Sequence, residues 1–173
     1  MTTLDLENVA KRLDHGNIPI TIADPRLDDI PLIYVNKAFC KETGYAAEEF
    51  IGQNCRFLQG DLENEAPRDV IRTALAQGRS GQAVFRNRRK DGSVFNQLLM
   101  LEPLYDSADR LVYVVGSQFV LTPRNRAKAA DEHALQVVKE IDRLLELNDR
   151  LRSSTRETLA RSTAASVKLW LDN

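Results

Sequence analysis

The segment at residues 52–60, Gly-Gln-Asn-Cys-Arg-Phe-Leu-Gln-Gly, concentrates side chains that could do chemistry. It holds a thiol and a guanidinium between two amides, at Asn54, Cys55, Arg56 and Gln59. A thiol can form a covalent bond, and a guanidinium is a permanently charged donor that suits phosphates. Primary amides both donate and accept hydrogen bonds. Taken alone, Cys55 would be a small buried hydrophobic residue, so any chemistry depends on its surroundings.

The composition of the 173-residue chain indicates one globular domain with extensions. A net charge of −1 provides no field that would attract nucleic acid or an anionic membrane. No apolar run approaches the roughly 20 residues of a membrane span, and the acidic N-terminus does not resemble a secretory signal. We therefore expect a cytoplasmic protein whose two cysteines, Cys40 and Cys55, stay reduced and form neither a disulfide nor a metal site.

The pattern along the chain divides it into three segments. Residues 1–17 predict an amphipathic N-terminal helix, which His15-Gly16-Asn17 ends. Residues 18–121 mix short strands and helices and predict an α+β core. Residues 122–173 have no glycine and no strand pattern, and predict a helical C-terminal extension with a hydrophobic stripe. In this extension, Ser154 begins a capping box that predicts a last helix.

The core elements follow from local signals. Alternating residues predict a strand over 18–22 and another over 32–35, and Asn36 and Gly44 are typical of the two ends of a helix. Pro67 predicts the start of a longer helix with Val70, Ile71, Ala74 and Leu75 on one face. Three strands complete the core, at residues 82–90, 93–104 and 111–121, and the first two meet in a hairpin at Asp91-Gly92.

This order of elements resembles the PAS fold, and the 52–60 segment resembles the signature of light-oxygen-voltage (LOV) photoreceptor domains. Supporting segments are DPRL at 24–27, LIYVNKAFCKETGY at 32–45, RNRRKDG at 86–92 and VYVVGSQ at 112–118. The resemblance covers about residues 18–121. It implies a five-stranded antiparallel sheet with short helices that enclose a flavin.

The resemblance also implies a cofactor and a role for each site residue. In LOV domains a cysteine lies over bound flavin mononucleotide (FMN) and bonds reversibly to its ring under blue light, and Cys55 occupies that position. Arg56 and Arg72 would hold the phosphate, although Arg72 taken alone would be a solvated helix residue. The amides that would hold the polar edge of the ring are Asn54, Gln59, Asn87, Gln97 and Gln118.

The chain departs from the family pattern near one of these amides. Most relatives carry asparagine at the position of Gln97, an aromatic residue at Asn96 and often phenylalanine at Leu99. Because Gln97 is one methylene longer, we expect flavin binding to survive with an altered adduct lifetime. Cys40 lies in a predicted helix beside Ala38 and Phe39, and we expect it to be a packing residue.

Strand alternation assigns the remaining core residues to two faces of the sheet. The residues expected to face inward with the amides Asn87, Gln97 and Gln118 are Phe85, Phe95, Leu99, Leu101, Val112, Val114 and Gly116. The residues expected to face outward are Leu98, Met100, Tyr113, Val115, Phe119 and Leu121. Such an apolar outer face is unusual on a soluble monomer, so either the terminal helices or a second subunit should cover it.

We interpret the chain as a short LOV photoreceptor without its own enzymatic output domain. We expect a homodimer, and signalling through Gln118 and the sheet to the flanking helices, the dimer interface or an unidentified protein effector. The basic residues Arg86, Arg88 and Lys90 are better explained as a solvated sheet edge than as a nucleic-acid site. His133 is better explained as a solvent-facing helix residue than as a phosphoacceptor.

Two alternatives remain open at the level of the sequence. One is a flavin-binding PAS redox sensor in which light is incidental. The other is a dimerisation or adaptor module that binds no cofactor. The absorption spectrum of the purified protein distinguishes them, because only a photoreceptor is yellow and bleached reversibly by blue light.

Overall fold

The protein is described here by a computed structural model covering residues 5–122, 137, 139–145 and 152–153. Its helices are α1 (Leu6–Leu13), α2 (Lys37–Thr43) and α3 (Glu65–Ala76), with short 3-10 helices at Ala47–Glu49 and Cys55–Gln59. Its strands are β1 (Ile20–Ala23), β2 (Leu32–Val35), β3 (Gly81–Arg88), β4 (Val94–Tyr105), β5 (Leu111–Leu121) and β6 (Arg152–Ser153). Helical residues 137 and 139–145, named here the tail segment, belong to the C-terminal extension.

The strands form an antiparallel sheet in the order β2-β1-β5-β4-β3. This confirms the predicted α+β fold with a five-stranded sheet. The short strand β6 also pairs with β4, at Leu104 and Tyr105, so the prediction that the extension contains no strand was wrong. On one edge of β4, pairing with β3 ends at Leu101, so the end of β4 beyond it is available to pair with β6.

Asn36 connects the N-terminal helix, the sheet and α2. Its side-chain oxygen accepts from the backbone N–H of Phe39 at 3.0 Å, which caps α2 as the sequence predicts, and also from Ile20 N–H at 2.9 Å. Its side-chain nitrogen donates to the carbonyls of Leu13 and Ile18. The fully buried amide is therefore satisfied on both sides, and it fixes the start of β1 against the end of α1.

The helix α3 begins two residues before Pro67, which lies in its first turn, where a missing N–H costs no helical hydrogen bond. Its inner face differs from the expectation at one position. Ile71, Ala74 and Leu75 are partly buried, but Val70 is 51% exposed. A helix presents only a stripe to its neighbours, and Val70 lies outside that stripe.

The outer face of the sheet is covered by elements of the same chain. Leu98, Met100, Tyr113 and Val115 are each less than 5% exposed. The residues that pack on them are Val9 and Leu13 of α1 and Val137, Ile141, Leu144 and Leu145 of the tail segment. Both sets follow helical spacing, so each helix presents one apolar stripe to the sheet. The terminal helices, rather than a second subunit, therefore cover this face.

Two predictions for the C-terminal extension concern residues outside those that the structure describes. The capping box at Ser154 and the residue His133 lie outside the described residues. The hairpin between β3 and β4 is described, and Gly92 has the positive φ of 88° that a tight turn at this position requires.

Candidate cofactor site

A cavity of about 500 Å³ lies between the inner face of the sheet, the 3-10 helix at Cys55–Gln59 and α3. This volume is typical of pockets for small molecules and cofactors. Every predicted site residue lines it, namely Asn54, Cys55, Arg56, Gln59, Arg72, Asn87, Gln97 and Gln118. Residues that are far apart in the sequence therefore converge on one chamber, as the family resemblance implies.

Cys55 is the first residue of its 3-10 helix and contacts the cavity directly. Burial raises the pKa of Cys55 to about 12, because a thiolate loses hydration in apolar surroundings. The sulfur is consequently a neutral thiol at physiological pH, unlike the thiolate nucleophile of a cysteine hydrolase. A protonated thiol brings both a sulfur and a proton to a bound acceptor.

Cys40 lies elsewhere, in an aromatic cluster with Phe39 and Phe50. Burial also raises the pKa of its thiol. It does not line the cavity, and its packing agrees with the role predicted from the sequence.

Three amides form the buried polar wall of the cavity. Asn87, Gln97 and Gln118 are each no more than 3% exposed. Asn87 Nδ2 donates to Gln97 Oε1 at 3.3 Å, and Gln118 Nε2 donates to Thr21 Oγ1 at 3.1 Å. Within the described residues, Asn87 Oδ1 and Gln118 Oε1 have no hydrogen-bond partner.

These two acceptors provide a test of whether the residues fit a flavin. Leaving a buried acceptor unpaired costs about 1–3 kcal/mol, so native proteins rarely leave two in one cavity. The polar edge of a flavin ring carries both donors and acceptors, and three rotatable amides can match both kinds. The apolar remainder of the wall suits the rest of the ring. The residues present therefore fit the group.

The two arginines predicted to hold a phosphate, Arg56 and Arg72, both line the cavity. Arg72 Nη1 lies 2.5 Å from Asp69 Oδ1, and Arg56 pairs with Asp29. Both arginine side chains are more than half exposed, so these are surface ion pairs of small net stability. An anionic group with several oxygens could displace the carboxylates and engage both arginines.

A third arginine, Arg68, also lines the cavity and was missed from the sequence. Its Nε donates to Gln59 Oε1 at 2.6 Å, which fixes the buried Gln59 side chain. Arg68 lies four residues before Arg72, and that helical spacing places both on one face of α3. This spacing was the signal that could have identified it.

Asn54 joins the loop at 24–31 to the helix that begins at Cys55. Its Oδ1 accepts from the N–H of Arg56 at 3.0 Å, and its Nδ2 donates to the carbonyl of Asp29 at 2.7 Å. In the same loop, Ile30 lines the cavity with a φ of 51°, which is unfavourable for a β-branched residue. These contacts favour a positioning role for Asn54 over direct contact with a bound ring.

The inner face of the sheet follows the predicted alternation with one exception. Phe85, Leu99, Leu101, Val114 and Gly116 line the cavity as expected. Phe95 is buried on the same face, opposite Asn87, but it lies beyond the cavity under the guanidinium of Arg89, whose carbon is 4.1 Å from the ring centroid.

The exception is Val112, which was predicted to face inward. The register of β4 and β5 shifts so that Leu104 pairs with Tyr113 and Tyr105 pairs with Leu111. This irregularity leaves Val112 in the outer-face cluster and turns Leu111 toward the cavity. The prediction for Val112 was wrong because a bulge reverses the alternation on one side of it.

Two of the three basic residues predicted as a solvated edge form ion pairs. Arg88 pairs with Asp61 and Lys90 with Glu49, both at 2.8 Å.

The described residues contain no cluster of histidine, cysteine, aspartate or glutamate that could hold a metal ion. Among them, no helix is long and apolar enough to span a membrane.

Comparison with known proteins identifies the family. The PAS domain family matches residues 18–120. A blue-light photoreceptor of Listeria monocytogenes is 35% identical over 133 residues, covering 77% of this chain and 52% of the relative. A blue-light-activated histidine kinase of Rhizobium johnstonii is 33% identical over 136 residues, covering 79% of this chain and 39% of the relative. The chain thus spans about half or less of the length of these curated relatives.

A solved structure matches over the whole chain. The crystal structure of the Rhodobacter sphaeroides LOV protein superposes with a TM-score of 0.84 and 33% sequence identity. The match covers 100% of this chain and 99% of the other. Since the PAS family matches more than half of the chain and a LOV protein of known structure matches it over its full length, the chain belongs to the PAS family and, within it, to the LOV proteins.

Proposed function

We propose that the chain is a blue-light photoreceptor that binds FMN in the cavity and forms a reversible covalent bond between Cys55 and the flavin ring. The observation that carries this proposal is the convergence of one protonated thiol, three buried amides and several guanidinium groups on one cavity. The names of the relatives, a blue-light photoreceptor and a blue-light-activated histidine kinase, support the same function.

The cavity residues divide between the two ends of the cofactor. Arg56 and Arg72 would hold the phosphate through charge-assisted hydrogen bonds. Asn87, Gln97 and Gln118 would bind the polar edge of the ring, and Gln59, held by Arg68, would lie between these two groups. Asn54 would position Cys55 through the cap of its helix. Bound FMN would supply the absorption of blue light.

The thiol chemistry would balance without an external oxidant or reductant. The S–H bond of Cys55 would break, and its sulfur and its proton would both pass to the bound ring, so that no electron is left over. The raised pKa of Cys55 is consistent with this step, because the group must carry its own proton. In the dark, the proton would return to the sulfur of Cys55.

Gln118 would carry the change out of the cavity. If a ring atom that faces Gln118 changed from a hydrogen-bond acceptor to a donor, the Gln118 amide could rotate to offer its oxygen instead of its nitrogen. Gln118 lies on β5, whose outward-facing Val115 packs in the cluster that the tail segment covers. A rearrangement worth about 1–3 kcal/mol is enough to shift such a contact without unfolding the core.

We predict that Gln118→Leu leaves photochemistry largely intact but blunts the structural response. The readout is the light-minus-dark difference in hydrogen exchange of residues 139–145, measured by mass spectrometry. Gln97→Leu is the matched control, because it removes an equally buried amide from β4 and should retain the response. A full light-induced difference in the Gln118 variant would contradict this route.

A homodimer does not need the apolar outer face of the sheet as its interface. The apolar outer face does not require a second subunit, since α1 and the tail segment cover it. We propose that a homodimer forms at the rim of this face, where Val94 is 44% exposed and Leu121 is partly buried. Light would shift the association by altering the covering elements, and the output would pass to an unidentified protein effector.

The dimer prediction is tested by size-exclusion chromatography with light scattering, in darkness and under blue light. We expect a dimer in the dark and a changed mass or elution volume in the light at micromolar concentration. Val94→Lys should lower the dimer fraction, because it buries a charge at the proposed contact. A monomer with identical behaviour in both conditions would contradict the homodimer and favour a different protein as partner.

We further propose that the chain acts as a sensor rather than as an enzyme and works in the cytoplasm. The neutral thiol supports the first point, because hydrolytic cysteine enzymes require a reactive thiolate. The low net charge and the reduced cysteines support the second.

A further inference from the structure

Thr21 contacts Gln118 inside the cavity, and no sequence signal pointed to it. It lies on β1, the neighbour of β5, and is 4% exposed. Its Oγ1 accepts from Gln118 Nε2 at 3.1 Å, and both residues line the cavity. Among the described residues, the Thr21 hydroxyl is the hydrogen-bond acceptor for the Gln118 amide nitrogen, so it affects how that amide is oriented.

Gly116 leaves the space that this contact needs. A Cβ at position 116 would lie 2.6 Å from Thr21 Oγ1 and 3.0 Å from Gln118 Nε2. The first distance is shorter than real Cβ contacts allow, and both neighbours are the contacting atoms themselves. The glycine is therefore explained by the meeting of these two side chains.

The contact leaves the other end of the amide for the cavity. Because Nε2 is directed to Thr21, Gln118 Oε1 lies on the opposite side of the amide, buried and without a partner among the described residues. The Thr21 hydroxyl proton has only a weak acceptor, the Gly116 carbonyl at 3.5 Å. A hydroxyl both donates and accepts, so it could donate to Oε1 if the amide inverted.

We propose that Thr21 is a positioning residue for Gln118: it sets which amide atom faces the cavity and supplies a hydrogen-bond partner in either orientation. This inference rests on the proposed function, in which Gln118 responds to a change in the bound ring. In the orientation that the structure shows, the hydroxyl accepts from Nε2, and Oε1 faces the cavity, where it could accept from a ring atom that has become a donor. In the inverted orientation, expected with the dark-state ring, the hydroxyl donates to Oε1, and Nε2 faces the cavity as a donor. Neither orientation therefore leaves a buried group unpaired on the β1 side.

The test compares Thr21→Val with Thr21→Ser in the full chain loaded with FMN. Valine has nearly the shape of threonine but no hydroxyl, whereas serine keeps the hydroxyl. Loss of this hydrogen bond should change the balance of the two amide orientations about 3- to 10-fold. In the dark, the side-chain amide resonance of Gln118, assigned by its disappearance in Gln118→Leu, should shift in Thr21→Val and stay near its wild-type position in Thr21→Ser.

The light response gives a second readout. Thr21→Val should reduce the light-minus-dark hydrogen-exchange difference of residues 139–145, and Thr21→Ser should restore it. If Thr21→Val does not fold, Gly116→Ala separates the same two side chains and should shift the same resonance. An unshifted resonance in the folded variant would overturn the inference. Absence of bleaching in the wild type would instead refute the proposed function, and the dark resonance would still test Thr21.

Discussion

Cys55→Ala is expected to abolish reversible blue-light bleaching completely while FMN remains bound. The variant removes the thiol that lines the cavity but leaves the arginines and amides that would hold the cofactor. Because the thiol is neutral when buried, its loss removes no charge from the site. The measurement is the absorption spectrum of the purified variant before, during and after illumination, together with its FMN content.

The second cysteine provides the matched control for this experiment. Cys40 is also partly buried and has a raised pKa, but it packs in the aromatic cluster with Phe39 rather than on the cavity. Cys40→Ala should bleach and recover like the wild type. If Cys55→Ala still bleached reversibly to the same product, Cys55 would not be the reacting residue.

Combined replacement of Arg56 and Arg72 by glutamine should weaken FMN binding by orders of magnitude. Each charge-assisted contact to a phosphate is worth about 1.5–3 kcal/mol, which corresponds to about 10- to 150-fold per arginine. In the free protein both side chains are more than half exposed and paired only with surface carboxylates, so their loss should cost little stability. Titration of the apoprotein with FMN, followed by flavin fluorescence, gives the affinity.

Riboflavin, which has the same ring but no phosphate, separates this effect from general damage to the cavity. The double variant should lose affinity for FMN and keep its affinity for riboflavin. Arg88→Gln is the control protein, because Arg88 also forms a surface ion pair, with Asp61, but does not line the cavity. Equal losses for both ligands would contradict the assignment of these arginines to the phosphate.

Local signals in the sequence predicted most of the fold that positions the site. Asn36 caps α2 as expected, because a side-chain cap needs only residues three positions apart. The Asp91-Gly92 turn likewise fixed the register of the β3–β4 hairpin, and so placed Asn87 and Gln97 together. The role of Cys55 was predicted only through the family resemblance, because a single thiol taken alone would be a buried packing residue.

Features that depend on contacts between distant residues were not predicted. The bulge that turns Val112 outward arises where β4 and β5 pair, and no local pattern marks it. Pairing of β6 with β4 depends on where β3 stops. Thr21 gains its role only through Gln118, on another strand. The sequence left two ways to cover the apolar outer face, by the terminal helices or by a second subunit. An amphipathic helix can pack on its own chain or on another, so its pattern does not decide between them.

The visible absorption spectrum of the purified protein tests the central claim most directly. We expect a yellow protein whose blue absorption band is lost under blue light and returns in the dark without added reductant or oxidant. A yellow protein that changes only when a reductant is added would contradict light sensing and support a redox sensor. A colourless protein that does not take up FMN would contradict the cofactor itself and support an adaptor module.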